Sequence, residues 1–287
     1  MKIKVAAIST SCLDSYNEKE EYKNDIDLIR IKIIIDNKEY IDGQDIKPLD
    51  FYDLLKKNPK LVTKTSQPSL GELISYFENL SKKGYKEVFI TVLSDKFSGT
   101  YNTILQAKKM VANKIKVIPY NTNTIAFSEG FFAIEAYRLF KEGLSVESVI
   151  EHLNFFKNNN TIFFVVNSLN RLIKSGRLTK TKSFFGRLFR IKPILKVNNK
   201  GQAEIIEKKI KLEKAFYFIT EQIKNFTKDK KFMIHILFTQ NDKFKEKFKF
   251  ILEKELKLEN ILEIPISVSI GLHIGDNVFG VGIILKK

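Results

Sequence analysis

The chain contains no tryptophan, one cysteine (Cys12) and three histidines (His152, His235 and His273). One cysteine excludes an internal disulfide and any cysteine-rich zinc site. With so few histidines, a histidine-built metal centre is not expected either, and the sequence calls for no metal and no cofactor. No stretch approaches the ~20 uncharged apolar residues of a membrane span. The opening "MKIKVAAIST" lacks the long apolar core and cleavage site of a secretory signal. A cytoplasmic protein is therefore expected.

Several catalytic signatures are also missing. There is no Gly-x4-Gly-Lys-[Ser/Thr] loop, and no Gly-x-Gly-x-x-Gly follows the first predicted strand. Ser98 lies in "FSGT", which lacks the first glycine of a hydrolase elbow. Acidic residues are missing from one long stretch: residues 171–200 hold ten basic side chains and no Asp or Glu. Part of the net charge of +16 reflects a bias toward Lys, Asn, Ile and Phe, as in an AT-rich genome. The basic stretch reads first as solvated surface, and alternatively as a face for phosphate, an anionic membrane surface or an acidic partner. A basic surface protein that binds nucleic acid or an anionic membrane is an alternative reading of the whole chain, and for nucleic acid it is disfavoured because no reader motif accompanies the charge.

What is present is an α/β pattern. At 44% apolar residues the 287-residue chain can bury a substantial core. Residues 3–10 read as a strand ending in hydroxyls, and 27–43 as a strand, a turn and a short extended return. Residues 48–57 and 71–84 repeat apolar side chains at helical spacing, the first opening on Pro48 and the second stopping at Gly84. "EVFITVL" (87–93) is a nearly unbroken apolar strand, as in a sheet covered on both faces. Strand and helix then alternate through residue 158, which predicts a mainly parallel sheet. From about residue 160 the character changes: a buried strand "TIFFVV", a hairpin around "NNKGQ", then helix (212–225), strand (232–238), helix (242–256) and two closing strands (260–266 and 278–285). The expectation is two α/β domains. Residues 1–160 form a three-layer α/β/α unit with a mainly parallel sheet, and 161–287 an α/β unit with a mixed sheet.

Two hydroxyl clusters precede helices: "TSQPS" (65–69) and "SDKFSGT" (94–100). Both are placed by this reading at the carboxyl ends of strands, where open α/β sheets bind ligands. The free N–H groups of a helix start favour an anion there. Helix capping explains either cluster alone; two in equivalent places point to a shared site. "ISVSIGLHIGDNVFGVGI" (266–283) sets His273 between Gly271 and Gly275, where backbone can approach a ligand closely. "KSGRLTK" offers Arg177 on a turn, able to aim a guanidinium at a carboxylate or phosphate.

Taken in order, "TSQPS" at 65–69, "FSGTYNT" at 97–103, "LNRLIKSGRLT" at 169–179, "IKPIL" at 191–195 and "GLHIG" at 271–275 resemble the DegV family of bacterial fatty acid-binding proteins over essentially the whole chain. The segment "EYIDGQDIKPLDFYDLL" (39–55) is similar as well. The resemblance implies a long-chain fatty acid held between two domains, its tail in an apolar tunnel and its carboxyl gripped by hydroxyls from both loops. Carried onto this chain, the ligand-binding residues are Thr65, Ser66, Ser98, Gly99 and His273, with Arg177 nearby. It also implies a carrier rather than an enzyme, presenting its ligand to a separate fatty acid kinase that forms an acyl phosphate for phospholipid synthesis.

Physical chemistry agrees: about 14 buried methylenes at ~0.8 kcal/mol each supply roughly 11 kcal/mol gross, while a buried carboxylate needs partners. The chain departs from the family pattern in having Ser175–Gly176 in place of a double glycine and Ile274–Gly275–Asp276–Asn277 after the histidine. Asp276 is unfavourable near a carboxylate unless it points away. A different acyl or isoprenoid acid on the same fold is the alternative ligand, and transient contact with an anionic membrane through the basic stretch is compatible with a carrier.

Overall fold

The structure is a computed structural model and describes residues 3–16, 22, 25–178, 191–240 and 242–287. Four parallel strands form the first sheet in the order β2-β1-β6-β7: β1 (Ile3–Ile8), β2 (Ile26–Ile29), β6 (Glu87–Val92) and β7 (Lys116–Asn121). Along β1 the side chains alternate between two covered faces, Val5 and Ala7 on one and Ala6 and Ile8 on the other. That is why the strands read as unbroken apolar runs. Helices α2 (Leu70–Lys82) and α3 (Thr100–Met110) cover one face through Leu73, Phe77, Ile104 and Ala107. Helices α4 (Phe127–Lys141) and α5 (Val146–Asn158) cover the other through Phe132, Ala133, Val149 and Leu153.

The second sheet has six strands in the order β10-β9-β8-β13-β11-β12: β8 (Asn160–Val165), β9 (Lys192–Val197), β10 (Ala203–Lys209), β11 (Phe232–Phe238), β12 (Leu262–Pro265) and β13 (Phe279–Leu285). Only the β11–β12 pair is parallel. Helices α7 (Leu212–Thr227) and α8 (Lys243–Leu256) pack on one face, where Phe216 stacks on Phe248 at 4.3 Å between centroids. Along β8 the period of two sends Phe163 and Val165 to those helices and Ile162 and Phe164 to the opposite face. That opposite face looks toward the first sheet. The molecule thus has the two-part α/β fold that the sequence indicates. The hairpin β9–β10 forms with Val197 opposite Ala203.

Three local readings change. Residues 27–43 are not one strand and its return: β2 ends at Ile29, and β3 (Lys32–Ile35) and β4 (Lys38–Ile41) form a hairpin in a separate three-stranded antiparallel sheet. The turn residues Asp36 and Asn37 both take positive φ, at 45° and 68°, as a tight hairpin requires. The apolar run "IRIKIII" crosses this break without a composition change, so the change of sheet left no mark in sequence.

The third strand of that small sheet is β5 (Thr63–Ser66), so Thr65 and Ser66 lie on a strand rather than in a loop. Its polar alternation hides it, because the sheet has one solvated face. Finally, the glycine-rich segment contains a helix, α9 (Val268–Ile274). Its glycines serve packing: a Cβ on Gly271 would lie 2.1 Å from the Tyr52 hydroxyl oxygen.

Two further described helices are α1 (Pro48–Lys57), which carries Tyr52, and α6 (Asn170–Ser175). Part of the basic stretch, residues 179–190 including "SFFGRLF", lies outside the described residues. No described helix is long and apolar enough to cross a membrane.

Candidate functional site

A cavity of about 880 Å³, its open mouth included, lies between the carboxyl edge of the parallel sheet, the inner face of the six-stranded sheet and α9. The loops that follow β6 and β7 of the first sheet supply Leu93, Phe97, Ile125 and Ala126. The second supplies Ile162, Phe164, Val197, Ala203 and Leu237, and Ile270 and Ile274 come from α9. Gly280 of β13 adds bare backbone, which a methyl group would bring to 3.0 Å from Phe164 Cβ. Among the described residues, only Thr10, Thr65, Ser98, Arg177, Ser269 and His273 bring polar side chains to the wall.

Four of these converge. Thr65 Oγ1 and His273 Nε2 are 3.1 Å apart. Arg177 donates from Nε to the Phe97 carbonyl at 3.3 Å, next to Ser98, and its charge acts on His273. Burial together with the positive charges of Arg177 and Arg171 pushes the His273 imidazole down to about 3. The ring is therefore neutral near pH 7, and Nε2 can either donate or accept according to its tautomer. Burial also lowers both guanidinium pKa values, but arginine stays charged. Among the described residues neither Arg171 nor Arg177 forms an ion pair with a carboxylate.

Capping and cavity-facing roles divide within each hydroxyl cluster. Ser69 caps α2, accepting from the Glu72 N–H at 3.2 Å while Glu72 returns a bond to the Ser69 N–H at 2.8 Å. Thr65, four residues earlier, faces the cavity. Ser98 does both: it lines the cavity and its Oγ accepts from the Thr100 N–H at 3.2 Å. Gln67 joins the clusters, donating to Thr103 Oγ1 at 2.7 Å. It passes so close to Gly99 that a Cβ there would meet its Oε1 at 2.6 Å. Ser66 and Gly99 themselves are exposed and do not line the cavity. Alternation along β5 turns Ser66 to the side opposite Thr65.

Sequence reading missed three contributors. Thr10 and Ser269 come to the cavity through a 3-10 turn after β1 and through the unforeseen α9. Thr10 donates to the buried Glu129 at 2.7 Å, and burial pushes that carboxyl well up. Ala126 holds φ 59° and ψ −150°, a conformation almost reserved for glycine, with its methyl in the cavity wall. Nothing in the composition around these positions distinguishes them. No described group of His, Cys, Asp and Glu is arranged to hold a metal ion.

The fold and site together define an α/β protein with an apolar cavity whose one polar end is cationic. The model of the DegV family, described as an uncharacterised protein family, matches residues 2–286, and the chain belongs to that family. A DegV domain-containing protein of Staphylococcus aureus is 31% identical over 265 residues, covering 92% of each chain. One from Caldanaerobacter subterraneus is 32% identical, covering 96% of this chain and 97% of its own. Among solved structures, a fatty acid binding DegV family protein from Streptococcus agalactiae superposes with a TM-score of 0.89 at 28% identity, covering 100% of both chains. DegV of Bacillus subtilis, described as a fatty acid binding protein, gives 0.84 at 29% identity, again covering 100% of both chains.

Proposed function

We propose that this protein binds one long-chain fatty acid, the tail in the cavity and the carboxylate at Thr65, Ser98, His273 and Arg177. The observation that carries the reading is the pairing of an apolar cavity with Arg177, a guanidinium in its wall that has no carboxylate partner among the described residues. An anionic head group is what such a site is short of. The fatty acid-binding relatives at 28% and 29% identity support it. Ser66 and Gly99 then act from behind, Gly99 by giving Gln67 room to tie the two loops together.

The protein acts on this reading as a cytoplasmic carrier and not as an enzyme. A separate fatty acid kinase takes the exposed carboxylate oxygen as nucleophile. An O–P bond forms to the terminal phosphorus of a nucleoside triphosphate, the bond from that phosphorus to the departing nucleoside diphosphate breaks, and the resulting acyl phosphate feeds phospholipid synthesis. Residues 1–160 and 161–287 are taken as the two units that enclose the ligand.

Mass spectrometry of an organic extract from purified, unsupplemented protein tests the binding step. About one equivalent of a C14–C18 acid is expected. An empty extract, followed by no uptake of added palmitate, would overturn it. Hydroxylamine trapping of acyl phosphate, from loaded protein mixed with a fatty acid kinase and ATP, tests the carrier step; no trapped product would refute it.

A further inference from the structure

Arg171 has no part in the head-group set above, yet it belongs to the chain segment that leads to Arg177 and touches two others that supply members of that set. It lies on α6, six residues before Arg177. Its Nη1 donates to Thr63 Oγ1 at 3.2 Å and to the Leu272 carbonyl at 3.3 Å. Its Nη2 donates to the Pro59 carbonyl at 3.2 Å and, more weakly, to that of Leu61 at 3.5 Å. Thr63 is two residues from Thr65 on β5, so both hydroxyls belong to one face of the strand. Leu272 immediately precedes His273 on α9. One planar guanidinium thus fastens together the strand of Thr65, the helix of His273 and the segment leading to Arg177.

We infer that Arg171 is a positioning residue that confers selectivity for an acid head group, by fixing Thr65, His273 and Arg177 relative to one another. All four acceptors are uncharged, so the arginine's charge is not consumed by the contacts that hold it. Asp276 is the acidic group whose charge acts on it, and Arg171 thereby offsets the carboxylate that follows the histidine. A planar fork can reach four oxygens in two directions, whereas an ammonium is a point charge on a flexible stem. The inference rests on the fatty acid reading of the cavity.

The test compares hexadecanoic acid with hexadecan-1-ol, which share a tail and differ in head group, on wild type, Arg171→Lys, Arg171→Met and Thr63→Val. Wild type should prefer the acid. In both Arg171 variants that preference should fall about tenfold or more, the effect of misplacing charge-assisted hydrogen bonds, while alcohol affinity stays within about twofold. Thr63→Val should shift the preference the same way by a smaller factor, and it serves as the readout if the Arg171 variants do not fold.

Equal losses for acid and alcohol would show a merely structural role and overturn the inference. Full selectivity in Arg171→Lys would overturn it too, leaving charge without positioning. Wild type that binds neither ligand would remove the fatty acid reading itself, a result separable from any effect of the variants.

Discussion

Acid should destabilise this protein through a histidine that takes no part in the proposed site. His235 is fully buried on β11, packed edge-on against Phe127 at 5.1 Å and opposite Gly282, which leaves room for its ring. Its Nε2 lies 3.3 Å from Ser128 Oγ, and its Nδ1 has no hydrogen-bond partner among the described residues. Burial pushes the imidazole down to about 3, so the folded state holds it neutral. The unfolded state takes up a proton near pH 6.5. The depressed folded value means stability is lost as pH falls below the unfolded value and levels off only near the folded one. Each pH unit in that window costs about 1.4 kcal/mol, so the fall from pH 6.5 to pH 4 removes about 3 kcal/mol.

The assay is urea unfolding followed by far-ultraviolet circular dichroism, since the chain has no tryptophan to report by fluorescence. Wild type is compared with His235→Gln at several pH values between 7 and 4. Asp42 and Glu129, whose buried carboxyls are pushed up, gain stability on acidification, but they are common to both proteins and cancel in the difference. The stability difference between the two should narrow by about 3 kcal/mol toward pH 4. Parallel pH profiles would refute the reasoning.

Ser98→Ala and His273→Ala should each weaken fatty acid binding about tenfold in protein that remains folded, with Ser98→Ala also losing about 1 kcal/mol of stability because its Oγ accepts from the Thr100 N–H; unchanged affinity in both would dismiss the head-group site. Gly271→Ala forces a methyl group to 2.1 Å from the Tyr52 hydroxyl oxygen, which donates to the Ile266 carbonyl at 2.9 Å, so a loss of about 3 kcal/mol is expected in denaturant unfolding. Wild-type stability in that variant would mean α1 and α9 are not in the contact described. Ala126→Gly relieves a backbone strain of about 2 kcal/mol at a smaller cost in unfolded-chain entropy, and a net gain of about 1 kcal/mol should appear as a raised melting temperature. A lowered one would contradict the strained conformation.

Much of the fold was legible because local patterns and global packing agree. Unbroken apolar strands announced a sheet covered on both faces, and strand–helix alternation announced its parallel order. "NNKGQ" announced the hairpin between β9 and β10. The cap residue Ser69, in the first hydroxyl cluster, starts its helix where the sequence placed it. Thr65, Ser98, Arg177 and His273, chosen by residue type and family pattern, all reach one cavity.

Other features depend on where distant segments meet. The three-stranded sheet was hidden because its third strand is polar and its first continues an apolar run. Glycines 271 and 282 resembled a ligand-approach loop, yet they make room for Tyr52 and His235, which come from residues far away in the chain. Local sequence thus determined those strands and helices whose period or cap is written within a few residues, but not β5 or α9. Tertiary structure alone decided that Arg171 binds both Thr63 and Leu272, 108 and 101 residues away, and that a shared cavity lies between the two sheets. No short-range pattern encodes such contacts, because they exist only once both sheets have packed.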